Sequence, residues 1–433
     1  MQNANAATPS GTEPPWKLGF WSLIVTQFQG AFSDNALKFL VVLLIVGAGL
    51  SQAKEHQIGE LVGALFALPF ILVSMTGGFM ADRFSKRTIC AGVKVFEVFV
   101  MLFATAGLAW KSLPMQLAAV FLMGVHSAFF GPSKYGLLPE LLDEHRLSWG
   151  NGVLELGTFL AIILGTVAAS VLAERFGDSQ QWSGLILVGL ALVGLTTSLG
   201  ISRVPPADPT RRYHPNFIAE VWREVRAARN DRPLVLALLG NTYFWFLAAL
   251  LFLNLFFYGV HVLHLGKLQI GLLNVAVALG IGLGSLAAGY LSRGRIEIGL
   301  IPLGSVGLAV TSSLMSLPGL SFSLAMTGLA LVGLSGGFFI VPISALLQHR
   351  PAPERKGRLL ATANLLSFIG VFVASAVHYL LTELGGLRPG GVFLAGGIMT
   401  VAGTLLLIKL VPDSPARTVA WAHELLTGAP PAA

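Results

Sequence analysis

The sequence predicts an all-α membrane protein of twelve spans, built as two six-helix bundles related as parallel pseudo-repeats. Three observations predict it. Of 433 residues, 54% are hydrophobic and only 11% charged, where ordinary soluble domains carry roughly 25% charged residues; the mean hydropathy is +0.75. Twelve apolar runs are long enough to cross a bilayer, at about 18–47, 58–80, 88–110, 114–136, 149–173, 182–202, 234–263, 268–292, 298–315, 320–347, 359–382 and 390–411. A single long polar connection, about 203–233, separates the sixth from the seventh.

Taken in order, residues 1–17 are polar, contain proline and lack a basic stretch, so they read as a disordered tail and not as a cleaved signal. Residues 18–202 form the N-terminal bundle and 234–411 the C-terminal bundle, with a tail at 412–433. Runs near thirty residues must tilt, kink or protrude. Fifty glycines suit close helix approach in a membrane. The connection 203–233 opens with Pro205-Pro206, continues through Arg211-Arg212, and then sets Phe217, Ile218, Val221, Trp222 and Val225 apart from Arg223, Arg226 and Arg229. That pattern predicts an amphipathic helix lying on an anionic leaflet.

Orientation follows from the loops. With the N-terminus inside, 20 Lys and Arg fall in inside loops and tails and 5 outside, so both termini are expected in the cytoplasm. The net charge of +7 is therefore a topology signal, and nucleic-acid binding is not expected. The lone Cys90 excludes an internal disulfide. His126, His261, His264 and His378 are scattered without ligand spacing, so no metal site is expected.

The halves repeat detectably. Gly124-x4-Phe129-Phe130 corresponds to Gly333-x4-Phe338-Phe339, and Asn151 and Gly157 correspond to Asn364 and Gly370. The differences carry more information than the matches. Lys134 falls opposite Ile343, Glu155 opposite Phe368, Asp34 opposite Ala248 and Lys38 opposite Phe252. Every deeply placed charge, namely Asp34, Lys38, Lys94, Glu97 and Glu155, lies in the N-terminal half. Such charges are costly at bilayer depth and mark pathways or buried pairs. Asp34 and Lys38, four apart, share a helix face and can pair, as can Lys94 and Glu97. Phe244, Trp245, Phe252 and Phe256 make an aromatic surface on span seven that fits an acyl-chain wall.

Gly78-x3-Asp82-Arg83-x-Ser85-Lys86-Arg87, between spans two and three, resembles the loop signature of the major facilitator superfamily, with Ser85 where Gly is usual. Parallel six-span repeats are that superfamily's architecture. An acid at this helix end can pair with a base or helix terminus of the other half, so Asp82, Arg83, Lys86 and Arg87 read as a latch. The second-half counterpart, Gly289-x3-Arg293-Gly294-Arg295, has no acid, and a single latch is expected. Pro132 is expected to break span four near Lys134.

Four further segments narrow the resemblance. Phe28-x2-Ala31-Phe32-x-Asp34-Asn35, Gly131-Pro132-x-Lys134-Tyr135-Gly136, Asn151-Gly152 with Glu155, and Gly336-Gly337-Phe338-Phe339-x-Val341-Pro342 with Gln348 look like the bacterial lysophospholipid transporter family. They are close to the version fused to a 2-acylglycerophosphoethanolamine acyltransferase and acyl-carrier-protein synthetase. The resemblance implies inward flipping of lysophosphatidylethanolamine and lysophosphatidylglycerol across the bacterial inner membrane, for reacylation by a separate acyltransferase. It implies substrate contacts at Asp34, Asn35, Lys38, Lys134, Tyr135, Asn151 and Glu155, no cofactor, and a monomer in the lipid bilayer; coupling to Na⁺ or H⁺ stays open. A second reading is a proton- or sodium-coupled transporter of small solutes or drugs with Asp34 as coupling site. An enzyme is not expected, because neither a His-x4-Asp pair nor a G-x-S-x-G nucleophile elbow is read in the chain and the spans leave no room for a catalytic domain.

Overall fold

The computed structural model describes residues 15–46 and 52–427; most of the tail at 1–17 lies outside them. Six helices form the first bundle: α1 (Pro15–Val46), α2 (Gln52–Arg83), α3 (Lys86–Ala109), α4 (Leu113–Leu141), α5 (Glu144–Phe176) and α6 (Gln181–Leu199). The connection carries α7 (Phe217–Ala228). The second bundle comprises α8 (Arg232–His261), α9 (Lys267–Leu291), α10 (Leu300–Leu314), α11 (Phe322–His349), α12 (Lys356–Tyr379, continued by a π-helical turn to Leu384) and α13 (Pro389–Leu410). A last helix, α14 (Ser414–Thr427), follows. Among the described residues there is no strand.

Eleven of these helices are long and apolar enough to span. The ninth expected span, α10, has only 15 residues, about 22 Å at 1.5 Å per residue, and is the shortest of the twelve. Helix starts follow local chemistry. Asp143 and Asp231 each accept a hydrogen bond from the backbone N–H three residues on, at 3.1 Å, and so cap α5 and α8. α4 runs unbroken through Pro132, contrary to the break expected there. The carbonyl of Ala128, which Pro132 cannot serve, faces α2 at Gly77, where a Cβ would lie 3.0 Å from it. A neighbouring helix thus shelters the gap.

Each bundle has its own core. Leu37, Val41, Met101 and Met123 anchor the first, and Leu247, Phe339 and Phe393 the second. α9 and α11 approach so closely that a Cβ on Gly284 would sit 2.2 Å from the Leu334 carbonyl oxygen, a spacing only glycine permits. The halves meet chiefly along two helix pairs, α2 with α12 and α5 with α9, and α4 and α5 also touch α12 and α11.

Two terminal features depart from the sequence reading. The apolar arc of α7 is divided between protein contact and exposure. Phe217 and Val221 pack on Met75, Ala361 and Leu365 of α2 and α12, while Ile218 and Trp222 remain exposed. Residues 414–427, within the expected tail, are ordered as α14 because Trp421 is buried, donates to the Leu291 carbonyl at 2.9 Å, and has Glu424 one turn on at 2.5 Å from Arg295.

Candidate functional site

The charged residues of α1, α4 and α5 converge on the inner side of the N-terminal bundle, but not in the pairs that spacing suggests. Ser127 of α4 donates to Asp34 Oδ2 at 2.6 Å, while Asp34 Oδ1 has no hydrogen-bond partner. Lys38 forms no ion pair with Asp34 within 4.0 Å; its Nζ sits 4.8 Å from the centre of the Phe66 ring on α2, a cation–π arrangement. Lys134 lies over the Tyr135 ring at 4.7 Å, and the Tyr135 hydroxyl donates to Glu155 at 3.2 Å. Asn35 turns back on its own helix and donates to the Ala31 carbonyl at 2.8 Å.

Asn151 has another role. It exchanges two hydrogen bonds with Gln348 of α11, at 2.9 and 2.7 Å, in a buried amide pair between the halves. It therefore stands in a contact between the halves, one turn of α5 from Glu155.

An aromatic file leads from Lys38 to the other half. Phe66 lies 5.7 Å from Phe70, and Phe70 stacks on Phe368 of α12 at 4.0 Å and 16°. Phe368 is the residue that stands where the first half has Glu155. The apolar lining is thus shared by both halves and is not confined to span seven. On α8, Phe252 and Phe256 are exposed and Trp245 half-buried, whereas Phe244 is buried over Gly336 in the core of the second half and cannot line a wall.

Behind Asp34 lies a polar cluster that the sequence shows only in part. Lys94 Nζ is 2.6 Å from Glu97 Oε2, both fully buried. Gln29 closes the pair, accepting from Lys94 and donating to Glu97, each at 2.8 Å. His126 Nε2 lies 3.1 Å from Glu97 Oε2, and its Nδ1 is 3.3 Å from Ser127 Oγ.

At the face where the α2–α3 loop and the connection lie, Asp82 binds the second half. It accepts from the backbone N–H of Gly357 at 2.6 Å and of Arg358 at 3.2 Å, in the first turn of α12, where the helix dipole favours an anion. Arg211 of the connection pairs with Asp82 and, at 3.4 Å, with Glu220 of α7. Burial pushes the Arg211 guanidinium below its ordinary range, and Asp82 pulls it back. Glu224 of α7 takes Arg355 at 2.8 Å and Arg358 at 3.4 Å. Of the four loop residues, only Asp82 reaches across. Lys86 pairs with Glu140 at 2.5 Å, and Arg83 and Arg87 donate to the carbonyls of Arg211 and Leu199. A second crossing does exist despite the missing acid: Ser148 donates to the Arg295 carbonyl at 2.9 Å, and His145 lies 2.8 Å from the Gly294 carbonyl.

The spacing G-x-S-x-G of hydrolase nucleophiles does occur, at Gly333-Leu334-Ser335-Gly336-Gly337. It lies inside helix α11, where its glycines pack against α9, and not at a strand-to-helix turn.

Two six-helix bundles, with eleven helices long and apolar enough to span and the shorter α10, joined by a basic connection and latched at an acidic loop, are the build of a transporter of the major facilitator kind. The superfamily model described as Major Facilitator Superfamily matches residues 23–375. A protein named Lysophospholipid transporter LplT from Pectobacterium carotovorum subsp. carotovorum is 30% identical over 376 residues, 84% of this chain and 86% of that one. The protein of the same name from Citrobacter koseri is 29% identical over 395 residues, 87% and 94% of the two chains. The chain belongs to the major facilitator superfamily and, within it, to the family of these transporters. Among solved structures, the human organic anion transporter MFSD10 (TETRAN) superimposes with a TM-score of 0.78 at 16% identity, covering 91% of this chain and all of that one. FucP in the outward conformation does so at 0.74 and 11%, covering 92% and 99%. Both show the fold alone.

Proposed function

We propose that the chain carries lysophospholipids across a membrane by alternating access. Its substrates are lysophosphatidylethanolamine and lysophosphatidylglycerol, taken inward across a bacterial inner membrane for reacylation by a separate acyltransferase, with both termini in the cytoplasm. The observation that carries the reading is the inequality of the two halves. The partly buried Asp34, Lys38 and Lys134, with the buried Glu155, offer both signs of charge to a headgroup, whereas the counterparts Ala248, Phe252 and Phe368 offer apolar surface to a chain and Ile343 is buried in the core. The names of the relatives point the same way.

The phosphate meets Lys38 or Lys134, and the ammonium meets Asp34 or Glu155. Neither lysine is tied up in an ion pair within 4.0 Å among the described residues; each rests on an aromatic ring. A cation–π contact is worth about 0.5–2 kcal/mol, less than the charge-assisted hydrogen bonds a phosphate offers, so both lysines can be drawn off. The closed contacts at Asp82, Asn151 and Ser148 lie on the connection side, which suits an outward-facing state like that of the FucP structure.

Purified protein in liposomes, given labelled lysolipid in the outer leaflet, should equilibrate it between leaflets. Asp34→Asn and Lys134→Met should each slow this about tenfold or more, as expected for loss of one charged hydrogen bond of about 1.5–3 kcal/mol. Wild-type rates in both variants would remove these residues from the headgroup site. Gradient-driven uptake of small solutes without lysolipid competition would replace the reading itself.

A further inference from the structure

The cluster behind Asp34 serves neither the latch nor the core packing of the first bundle. It lines up Asp34, Ser127, His126, Glu97 and Lys94 at separations of 2.6, 3.3, 3.1 and 2.6 Å, with His126 Nε2 beside Glu97 but not hydrogen-bonded to it. We propose that His126 is a proton-binding site wired to the headgroup residue Asp34 through Ser127, and that its proton travels with anionic lysolipid but not with zwitterionic lysolipid. The inference rests on the lysolipid reading above.

Geometry supplies the wire. Asp34 is partly buried as a residue, with its Oδ1 buried and unpartnered, whereas His126 is 1% exposed. A proton arriving on Asp34 passes to Ser127 Oγ while the hydrogen of Ser127 passes to His126 Nδ1. The imidazole becomes imidazolium, Asp34 returns to carboxylate, and the hydroxyl is restored; release runs the same path backwards. His is the side chain whose charge changes near neutral pH. Around it, α1 presents Gln29 and Asp34 and α3 presents Lys94 and Glu97. α2 has no ionisable residue between Glu60 and Asp82, nor α11 between Ser321 and Gln348. On α5, Glu155 is held by Tyr135, nine residues along α4, and Lys356 and Arg358 of α12 lie at its start, by the latch. The imidazolium would therefore lie between two carboxylates, Glu97 directly and Asp34 through Ser127. Lys94, the cation that shares Glu97 with it, is already bonded to Glu97 and Gln29.

Charge balance supplies the selectivity. Asp34, Glu97 and Glu155 match Lys38, Lys94 and Lys134, so the deep charges of the first half sum to zero. A zwitterionic headgroup leaves that sum at zero. An anionic one adds a negative charge inside a low-dielectric bundle, where net charge is costly. A proton on His126 restores neutrality during the crossing.

The test uses the full chain in liposomes with trace labelled lysophosphatidylglycerol or lysophosphatidylethanolamine, with and without an outer pH one unit below the inner. Each variant is compared with itself across the two conditions. For the wild type, the gradient should shift the inner-to-outer leaflet ratio of the anionic lipid by up to about tenfold, the equivalent of one proton per lipid and one pH unit, and leave the zwitterionic lipid unmoved. His126→Gln and Ser127→Ala should lose the shift, and Ser127→Thr, which keeps the hydroxyl, should retain it. If His126→Gln does not fold, the Ser127 pair decides. A wild type that responds equally for both lipids, or not at all, overturns the inference, as does a shift that survives both His126→Gln and Ser127→Ala. If neither lipid equilibrates even without a gradient, the transport reading itself fails and the inference goes with it.

Discussion

Lys94→Met should be among the most destabilising single substitutions in the chain, costing about 3–5 kcal/mol, the usual effect of stranding one member of a buried ion pair. The reason is geometric. Lys94 and Glu97 are both fully buried, and each of Gln29, Lys94 and Glu97 bonds the other two. With the ammonium gone, Glu97 keeps only Gln29 and His126 against a negative charge in the bilayer interior. The double variant Lys94→Met/Glu97→Gln should recover most of the loss, because a neutral amide can still bond Gln29 and no bare charge remains. Melting temperatures in detergent for the two singles and the double form a cycle that isolates the pair. Equal losses in the single and double variants would mean that the site is sensitive to shape and not to charge. Lys111→Ala serves as the reference: its 2.7 Å pair with Asp178 is exposed, and no measurable change is expected there.

How much of this was legible beforehand depends on the length scale of each interaction. The helices follow from runs of apolar residues, which are local, and so does the Lys94–Glu97 pair, three residues apart on one helix. Asp34 and Lys38 are also local and misled, because spacing shows that two side chains can meet and not what else competes for them. Ser127 and Phe66 come from other helices and win. His126 and Gln29 carry no signal in sequence: an imidazole among apolar residues reads as an ordinary buried side chain until α1, α3 and α4 are brought together. The resemblance puts Asn151 with the headgroup, and the fold adds a partner no local pattern could show, Gln348, 197 residues away.

The connection between the halves shows the same limit. An amphipathic pattern at 217–225 fixes a helix but not the partner of each face. The structure divides the arc between protein and solvent: Phe217 and Val221 pack inward, and Glu220 and Glu224 are buried among arginines from three segments. The latch is therefore larger than its loop motif. It reads as four residues in the sequence and folds as one acid, the first turn of α12, and a helix from the connection. Moving the halves apart on this side must break all three together, which makes the closed state an all-or-none arrangement.

Asp82→Asn should loosen that closed state without unfolding the protein. The substitution keeps the shape and one acceptor, so a hydrogen bond from Gly357 can persist, but it removes the charge that Arg211, Arg358 and the α12 N-terminus converge on. Charge-assisted bonds of this kind contribute about 1.5–3 kcal/mol, enough to move a two-state balance roughly 10- to 100-fold. Phe84 and Ala352 are exposed, one in each half, and flank the latch; spin labels there report its opening. The parent protein should give a single short distance, and Asp82→Asn a second, longer population. Glu224→Gln should act in the same direction but more weakly, since it releases Arg355 and Arg358 and leaves Asp82 bound to the helix end. An unchanged distance distribution in Asp82→Asn would mean that the closure is held elsewhere, at the Asn151–Gln348 pair and the stacked Phe70 and Phe368. The same labels would then show the longer population in Gln348→Leu, because the lost amide leaves Asn151 buried with its strongest partner gone.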